Sequence, residues 1–155
     1  MRRGMYLLGR TVFGGFFLYS ALNHFRHSRQ MSGYAASKGT PAPQAAVLGS
    51  GGMLLLSGLS LLAGIRPRQG LMLALGFLIP VSLQMHRFWD QDDPAQYQAE
   101  LVNFMKNMAL AGAALTMMEM PERWPISAET ITRRLDESDW TRPRLLRSIV
   151  HRLAA

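Results

Sequence analysis

Four apolar segments occupy most of the first 118 residues, and they restrict the fold more than any other feature of the sequence. The predicted segments are residues 5–22, 45–65, 70–85 and 101–118. The second contains no charged residue and is about 21 residues long, close to the roughly 20 that an α-helix needs to cross a bilayer core. A helix of a soluble bundle carries a polar stripe, and residues 47–62 and 71–83 lack one. We therefore predict an all-α fold, a transmembrane four-helix bundle.

The polar residues are concentrated outside these segments and above all at the end of the chain. Hydrophobic residues make up 48% of the sequence, yet the mean hydropathy is only +0.03, which requires that polar residues lie in separate stretches. We divide the chain into a membrane domain, residues 1–120, and a charged tail, residues 121–155. Between the apolar segments we predict a surface helix at about residues 26–36 and an acidic loop at residues 90–100.

The distribution of basic residues predicts which side of the membrane each loop occupies. Four spans place both termini on one side, together with the basic turn at Arg66 and Arg68 and the charged tail. The opposite side carries a mixture of basic residues and the acidic loop. Because Lys and Arg are enriched in cytosolic loops, we predict that both termini are cytosolic.

The charged tail contains one amphipathic stretch. Its apolar residues fall on one helical face, and Arg144, Arg147 and Arg152 lie largely on the other. A basic amphipathic helix beside a membrane most simply binds anionic lipid, and binding to a partner subunit is the alternative. We therefore predict a short cytosolic C-terminal amphipathic helix.

Several functional classes are not indicated. The formal net charge is +7 and 15 of the 17 basic residues are Arg, but no aromatic-rich basic motif points to nucleic acid. The chain has no cysteine, which excludes thiol chemistry, disulfides and cysteine-bound metals. His24 and His86 have no acidic residue at ligand spacing, so a metal site is not predicted. No nucleophile–base arrangement or phosphate-binding loop is present, so catalytic activity by the chain itself is not predicted.

One polar cluster stands out near the start of the fourth segment. Asn103, Lys106 and Asn107 have i, i+3 and i+4 spacing and therefore share one helix face. Three further polar or aromatic residues, at the end of the third segment and in the loop after it, lie on the same side of the membrane: His86, Trp89 and Asp90. Two interpretations remain open. The cluster is either a hydrogen-bonded clamp between the third and fourth spans or a pocket for a quinone head group or another anionic or carbonyl-bearing ligand.

Three residues of the first segment and its end are secondary candidates. Arg10 lies about five residues inside its span, where ionisable side chains are costly, and its long side chain can reach the cytosolic surface. Anchoring and a functional role both remain open for it. Asn23 and His24 end the first segment, and His24 is expected on the same side as His86. Trp89 is also expected to belong to an interfacial aromatic belt.

Several of these residues together resemble the DoxX family of small four-span membrane proteins of bacteria. The resemblance rests on five blocks between residues 5 and 118: Arg10, the run Gly14–Leu22, Leu61–Gly64 followed by Arg66, the sequence His86-Arg87-Phe88-Trp89, and the run Asn103–Gly112. It implies a four-helix protein of the bacterial inner membrane, associated in some members with redox complexes and quinone chemistry. Many relatives carry a glutamate in the second span, where this chain has Gly51-Gly52-Met53-Leu54-Leu55 and no carboxylate.

These observations give three hypotheses for the function. The first is an accessory or anchoring subunit of a membrane-associated redox complex, without catalytic activity of its own. The second is an oxidoreductase subunit that handles quinone in a pocket near Lys106. The third is a small transporter, which the absence of charged residues from the second and third spans disfavours.

Overall fold

The predicted all-α fold is confirmed. A computed structural model describes residues 2–119 and 132–133, and this part of the chain contains no β-strand. Five α-helices follow one another: α1 (Arg2–Arg26), α2 (Ser28–Ser37), α3 (Pro43–Ala63), α4 (Pro67–Met85) and α5 (Pro94–Met118), with a short 3-10 turn at Phe88–Asp90 before α5. The predicted amphipathic tail helix, with Arg144, Arg147 and Arg152, lies outside the described residues.

Three of these helices are long and apolar enough to cross a membrane. The candidate spans are Gly4–Arg26, Pro43–Ala63 and Pro67–Asp90, which correspond to the first three predicted segments. Helix α5 has 25 residues, the same length as α1, but is not among them. Asn103, Lys106 and Asn107 lower its apolar character. The fourth span therefore stays a prediction.

Local sequence explains where α5 begins. The side chain of Asp93 accepts a hydrogen bond from the backbone N–H of Gln96 at 2.9 Å, and Pro94 occupies the first helical turn. An acidic N-cap followed by proline is a strong helix start, because both features suit the unpaired N–H groups there. The prediction of a loop over residues 90–100 was therefore wrong for its second half. This correction places Glu100 on a helix, one turn before Asn103.

The helices pack mainly in the order α1, α3, α4, α5, with α2 against α3. The core contains Phe17, Leu54, Leu61, Leu71 and Leu78, all fully buried. Helices α1 and α3 approach most closely at a glycine: a Cβ at Gly58 would lie 2.8 Å from the backbone nitrogen of Leu18. A small residue is needed there because the two backbones are in contact.

Candidate functional site

A chamber of about 510 Å³ lies at the end of the molecule where α1 and α4 finish and α3 and α5 begin. Its wall is mostly apolar, and residues of α2 and the loop after it contribute to one side. The polar side chains in the wall come from all five helices and their connections: Ser20, His24, Tyr34, Thr40, Ser50, Gln84, His86, Asn103, Lys106 and Asn107. A largely apolar chamber with a few polar groups is the usual form of a small-molecule site.

The structure places Asn103, Lys106 and Asn107 together in this wall. The ammonium group of Lys106 donates to Oδ1 of Asn103 at 2.9 Å, and Nδ2 of Asn103 donates to the carbonyl oxygen of Ala99 at 3.0 Å. Within the described residues no carboxylate pairs with Lys106. Asn107 is a buried residue, 6% exposed, and its amide has no hydrogen-bond partner among residues 2–119. Lys106 and Asn107 therefore have donors left for a ligand.

Glu100 connects three parts of the chain beside the chamber. Its Oε1 accepts from the hydroxyl of Tyr34 at 2.9 Å and from Nζ of Lys38 at 3.2 Å. Its Oε2 accepts from Nδ1 of His86 at 2.7 Å. Gln84 adds a hydrogen bond to the carbonyl oxygen of Lys38 at 2.9 Å. These contacts, which we call the Glu100 network, fasten the α2 segment and the end of α4 to α5.

Sequence reasoning missed Glu100, Tyr34 and Lys38 as site residues. A signal for Glu100 exists, since positions 100, 103 and 107 have the i, i+3 and i+7 spacing of one helix face. It was missed because residues 90–100 were predicted to form a loop, in which helical spacing has no meaning. Contacts between His86 and α5 do hold α4 and α5 together, but they run through Glu100 and leave Lys106 in the chamber wall.

The Glu100 network also shifts the ionisation of its members. Burial acts to raise the pKa of Glu100, but hydrogen bonds from His86, Tyr34 and Lys38 outweigh it and hold the pKa below its ordinary value. For Lys38, burial acts to lower the pKa, whereas its hydrogen bond to Glu100 contributes most to a net rise. Glu100 is therefore a carboxylate and Lys38 an ammonium at neutral pH.

The structure does not bring Trp89 and Asp90 into the chamber wall. Trp89 is 50% exposed and packs edge-on against Phe88 and Phe104, with ring centroids 5.0 and 5.9 Å apart. Asp90 lies with its Oδ2 3.4 Å from Nη1 of Arg87. Both residues belong to the short turn before α5 and lie outside the chamber wall that contains Lys106.

Arg10 lies in the half of α1 away from the chamber. It is buried, at 7% exposure, so it does not reach the surface as expected. Its Nη2 donates to the carbonyl oxygen of Leu62 at 3.4 Å, and its guanidinium lies 5.9 Å from the ring centre of Tyr6. A cation at the C-terminal turn of α3 is favourable because the carbonyl groups there are unpaired.

His24 and Asn23 differ in position although they are adjacent in sequence. His24 lies in the chamber wall, with Nδ1 2.8 Å from the carbonyl oxygen of Ser20 and its ring edge-on to Phe77. Asn23 is half-buried outside the chamber, and its carbonyl oxygen accepts from the backbone N–H of His27 at 2.9 Å. Residues 2–119 contain no group of three or more His, Asp or Glu side chains placed to hold a metal ion.

The fold and the chamber together define a class of protein. It is a helical membrane protein with a mostly apolar chamber at one end, and the chamber wall carries a few polar side chains. The DoxX family model matches residues 5–87, more than half of the sequence, and the chain belongs to the DoxX family. The match covers α1 to α4, including His24 and His86, and ends before α5 and Lys106. No curated protein and no solved structure matches the chain.

Proposed function

We propose that this DoxX-family membrane protein binds a quinone in the chamber near Lys106, as a subunit of a membrane redox system. One observation supports this above the others: a mostly apolar chamber of about 510 Å³ contains a lysine that no described carboxylate neutralises. An apolar wall suits a quinone ring, and an ammonium group suits its carbonyl oxygen. The redox association is the part of this proposal that comes from the family.

The location belongs to the same proposal. We infer a bacterial inner-membrane protein in which residues 101–118 of α5 form the fourth span and both termini are cytosolic, because basic residues accumulate beside the termini and in the turn between α3 and α4. The chamber then faces the outer leaflet, the leaflet that the end of α4 and the start of α5 occupy in this topology.

A second candidate function is an accessory or anchoring subunit that does not bind quinone. The observation in its favour is the strongly basic stretch with Arg144, Arg147 and Arg152, which follows an otherwise apolar helical body. Such a stretch suits anionic lipid or the acidic surface of a redox enzyme. Isolating the intact protein in mild detergent, with and without residues 127–155, identifies the partners that depend on this stretch.

Quinone binding separates the two candidates. We expect a short-chain benzoquinone to bind the protein in lipid nanodiscs in a calorimetric titration, and Lys106→Met to weaken it about tenfold, because a hydrogen bond from a charged group is lost. Arg26→Met is the control, since Arg26 is an exposed cation outside the chamber wall. Undetectable binding to the unmodified protein would reject the quinone proposal and leave the accessory function.

A further inference from the structure

Two histidines from different parts of the chain lie in the chamber wall, and each has one ring nitrogen engaged. Nδ1 of His24 donates to the backbone carbonyl oxygen of Ser20 at 2.8 Å. Nδ1 of His86 donates to Oε2 of Glu100 at 2.7 Å. A carbonyl oxygen and an ionised carboxylate can only accept, so Nδ1 carries the hydrogen in both rings.

In an uncharged imidazole whose hydrogen is on Nδ1, the second ring nitrogen, Nε2, is the acceptor. Neither Nε2 atom has a hydrogen-bond partner in the described part of the chain. An acceptor in a mostly apolar wall is available to a molecule in the chamber that supplies an O–H or N–H group.

The same wall also provides donors. Lys106 uses one of its three N–H groups on Asn103, and the amide of Asn107 has no partner among residues 2–119. The chamber therefore combines two imidazole acceptors with an ammonium and an amide donor. Phe77 lies edge-on to His24 in the same wall, with ring centroids 5.6 Å apart, and offers a flat apolar surface to an aromatic ring.

We propose that the chamber selects an aromatic, lipid-soluble ligand that carries a hydroxyl group, whose hydrogen is accepted by Nε2 of His24 or His86. A second oxygen of such a ligand accepts from Lys106 or Asn107. The ligand class is the phenols, including hydroquinones. This inference rests on the proposed function, because it concerns the ligand of the same chamber, and it adds that the hydroxylated form binds in preference to a form without hydroxyl groups.

The test compares two ligands that differ only in the hydroxyl hydrogen. A short-chain alkylphenol and its methyl ether are titrated separately into the unmodified protein in lipid nanodiscs. We expect the phenol to bind about fivefold more tightly than the ether, the amount that one hydrogen bond contributes. Neither compound requires an oxidant or reductant, so the comparison measures recognition alone.

Variants then assign the preference to the histidines. We expect His24→Phe and His86→Phe together to abolish the difference between the phenol and the ether, and His24→Gln with His86→Gln to keep part of it, because Gln retains an acceptor oxygen. His27→Phe is the matched control, since His27 is exposed and outside the chamber wall. Thermal unfolding of each variant shows whether it is folded.

The outcomes are distinguishable. Equal binding of phenol and ether by the unmodified protein would overturn the inference without the need for any variant, while benzoquinone binding that depends on Lys106 would leave the proposed function intact. Failure of all three compounds to bind would reject both. A preference for phenol that persists in the double Phe variant would remove the histidines from the recognition.

Discussion

Glu100 receives hydrogen bonds from Tyr34, Lys38 and His86, so at the scale of single residues it is the side chain on which the end of the molecule around the chamber depends. The three donors come from α2, the loop after it and the end of α4. Their common acceptor is 13% exposed. Removing it leaves several polar groups without a partner in a partly buried place, which costs more than the loss of one surface contact.

We therefore expect Glu100→Ala to destabilise the protein by about 1.5–3 kcal/mol, the range for hydrogen bonds to charged groups. The effect should be concentrated in α2. Because the chain has no cysteine, a single Ala35→Cys substitution can report on the opening of α2. Ala35 is 3% exposed, so labelling of the introduced cysteine by a maleimide should be slow and should accelerate when Glu100 is replaced. Glu119→Ala, at an exposed acidic residue, should leave the labelling rate unchanged. Equal labelling rates in the Glu100→Ala and Glu119→Ala proteins would contradict this role for Glu100.

The pH dependence of stability follows from the same residue. The folded-state pKa of Glu100 is lowered, so its contribution is present above its unfolded pKa of about 4.5 and is lost as the pH falls through the folded-state value. The pKa of Lys38 is raised, so its contribution is present below about 10.5 and is lost as the pH rises through the folded-state value. The thermal midpoint of the unmodified protein should fall more steeply below pH 4.5 than that of Glu100→Gln. Parallel curves would show that Glu100 does not titrate with folding.

At this scale the sequence predicted only the contacts that lie within one helix. Asn103, Lys106 and Asn107 share a face because helical periodicity brings them together, and that can be seen from spacing alone. The hydrogen bonds from Tyr34 and Lys38 to Glu100 join residues more than 60 positions apart. Such contacts depend on how the helices pack, and the spacing of residues along the sequence does not reveal helix packing.

Helices α1 and α3 are the most closely packed pair among the elements. At Gly58 their backbones leave no room for a side chain, and at Gly14 a Cβ would lie 3.0 Å from Cγ of Leu62. Close approach of this kind increases van der Waals contact, the main attraction between helices within lipid. The sequence predicted the existence and length of these helices, because an apolar run has a clear length. It did not predict which glycines face the partner helix.

Gly58→Ala should therefore destabilise the protein by about 1–3 kcal/mol, the usual cost of adding a methyl group to a filled site. The control is Gly52→Ala in the same helix, where a Cβ would have no atom within 4 Å. That change should be neutral or stabilise slightly, because alanine loses less conformational entropy than glycine in a helix. Thermal unfolding in detergent measures both. If Gly58→Ala were as stable as Gly52→Ala, the backbone contact between α1 and α3 would be excluded.

The boundary of α5 shows why the ends of elements are harder to predict than their middles. Apolar composition placed the start of the segment at residue 101, whereas the Asp93 side chain and Pro94 start the helix seven residues earlier. Residues 94–99 are exposed and have no apolar stripe, so no apolar pattern marks them as helical. A capping residue followed by proline was the available signal.

For the whole molecule, the number of spans decides the location of both termini. If α5 crosses the membrane, alkaline phosphatase fused to the C-terminus should be inactive in a bacterial host, because the enzyme folds only outside the cytosol, and a fusion after Asp92 should be active. Green fluorescent protein fused at the same two points should give the opposite pattern. An active phosphatase at both points would show three spans and place the C-terminus outside the cytosol.

The polar face of α5 has a consequence for biosynthesis. Its one lysine and two asparagines make independent insertion of α5 from the translocon into lipid less favourable, because ionisable and amide side chains are costly in the hydrocarbon region. Once α1, α3 and α4 are in place, the same three side chains line the chamber. The last helix is therefore expected to enter the bilayer only after the other three have assembled, and a nascent chain that lacks α4 should leave α5 outside it.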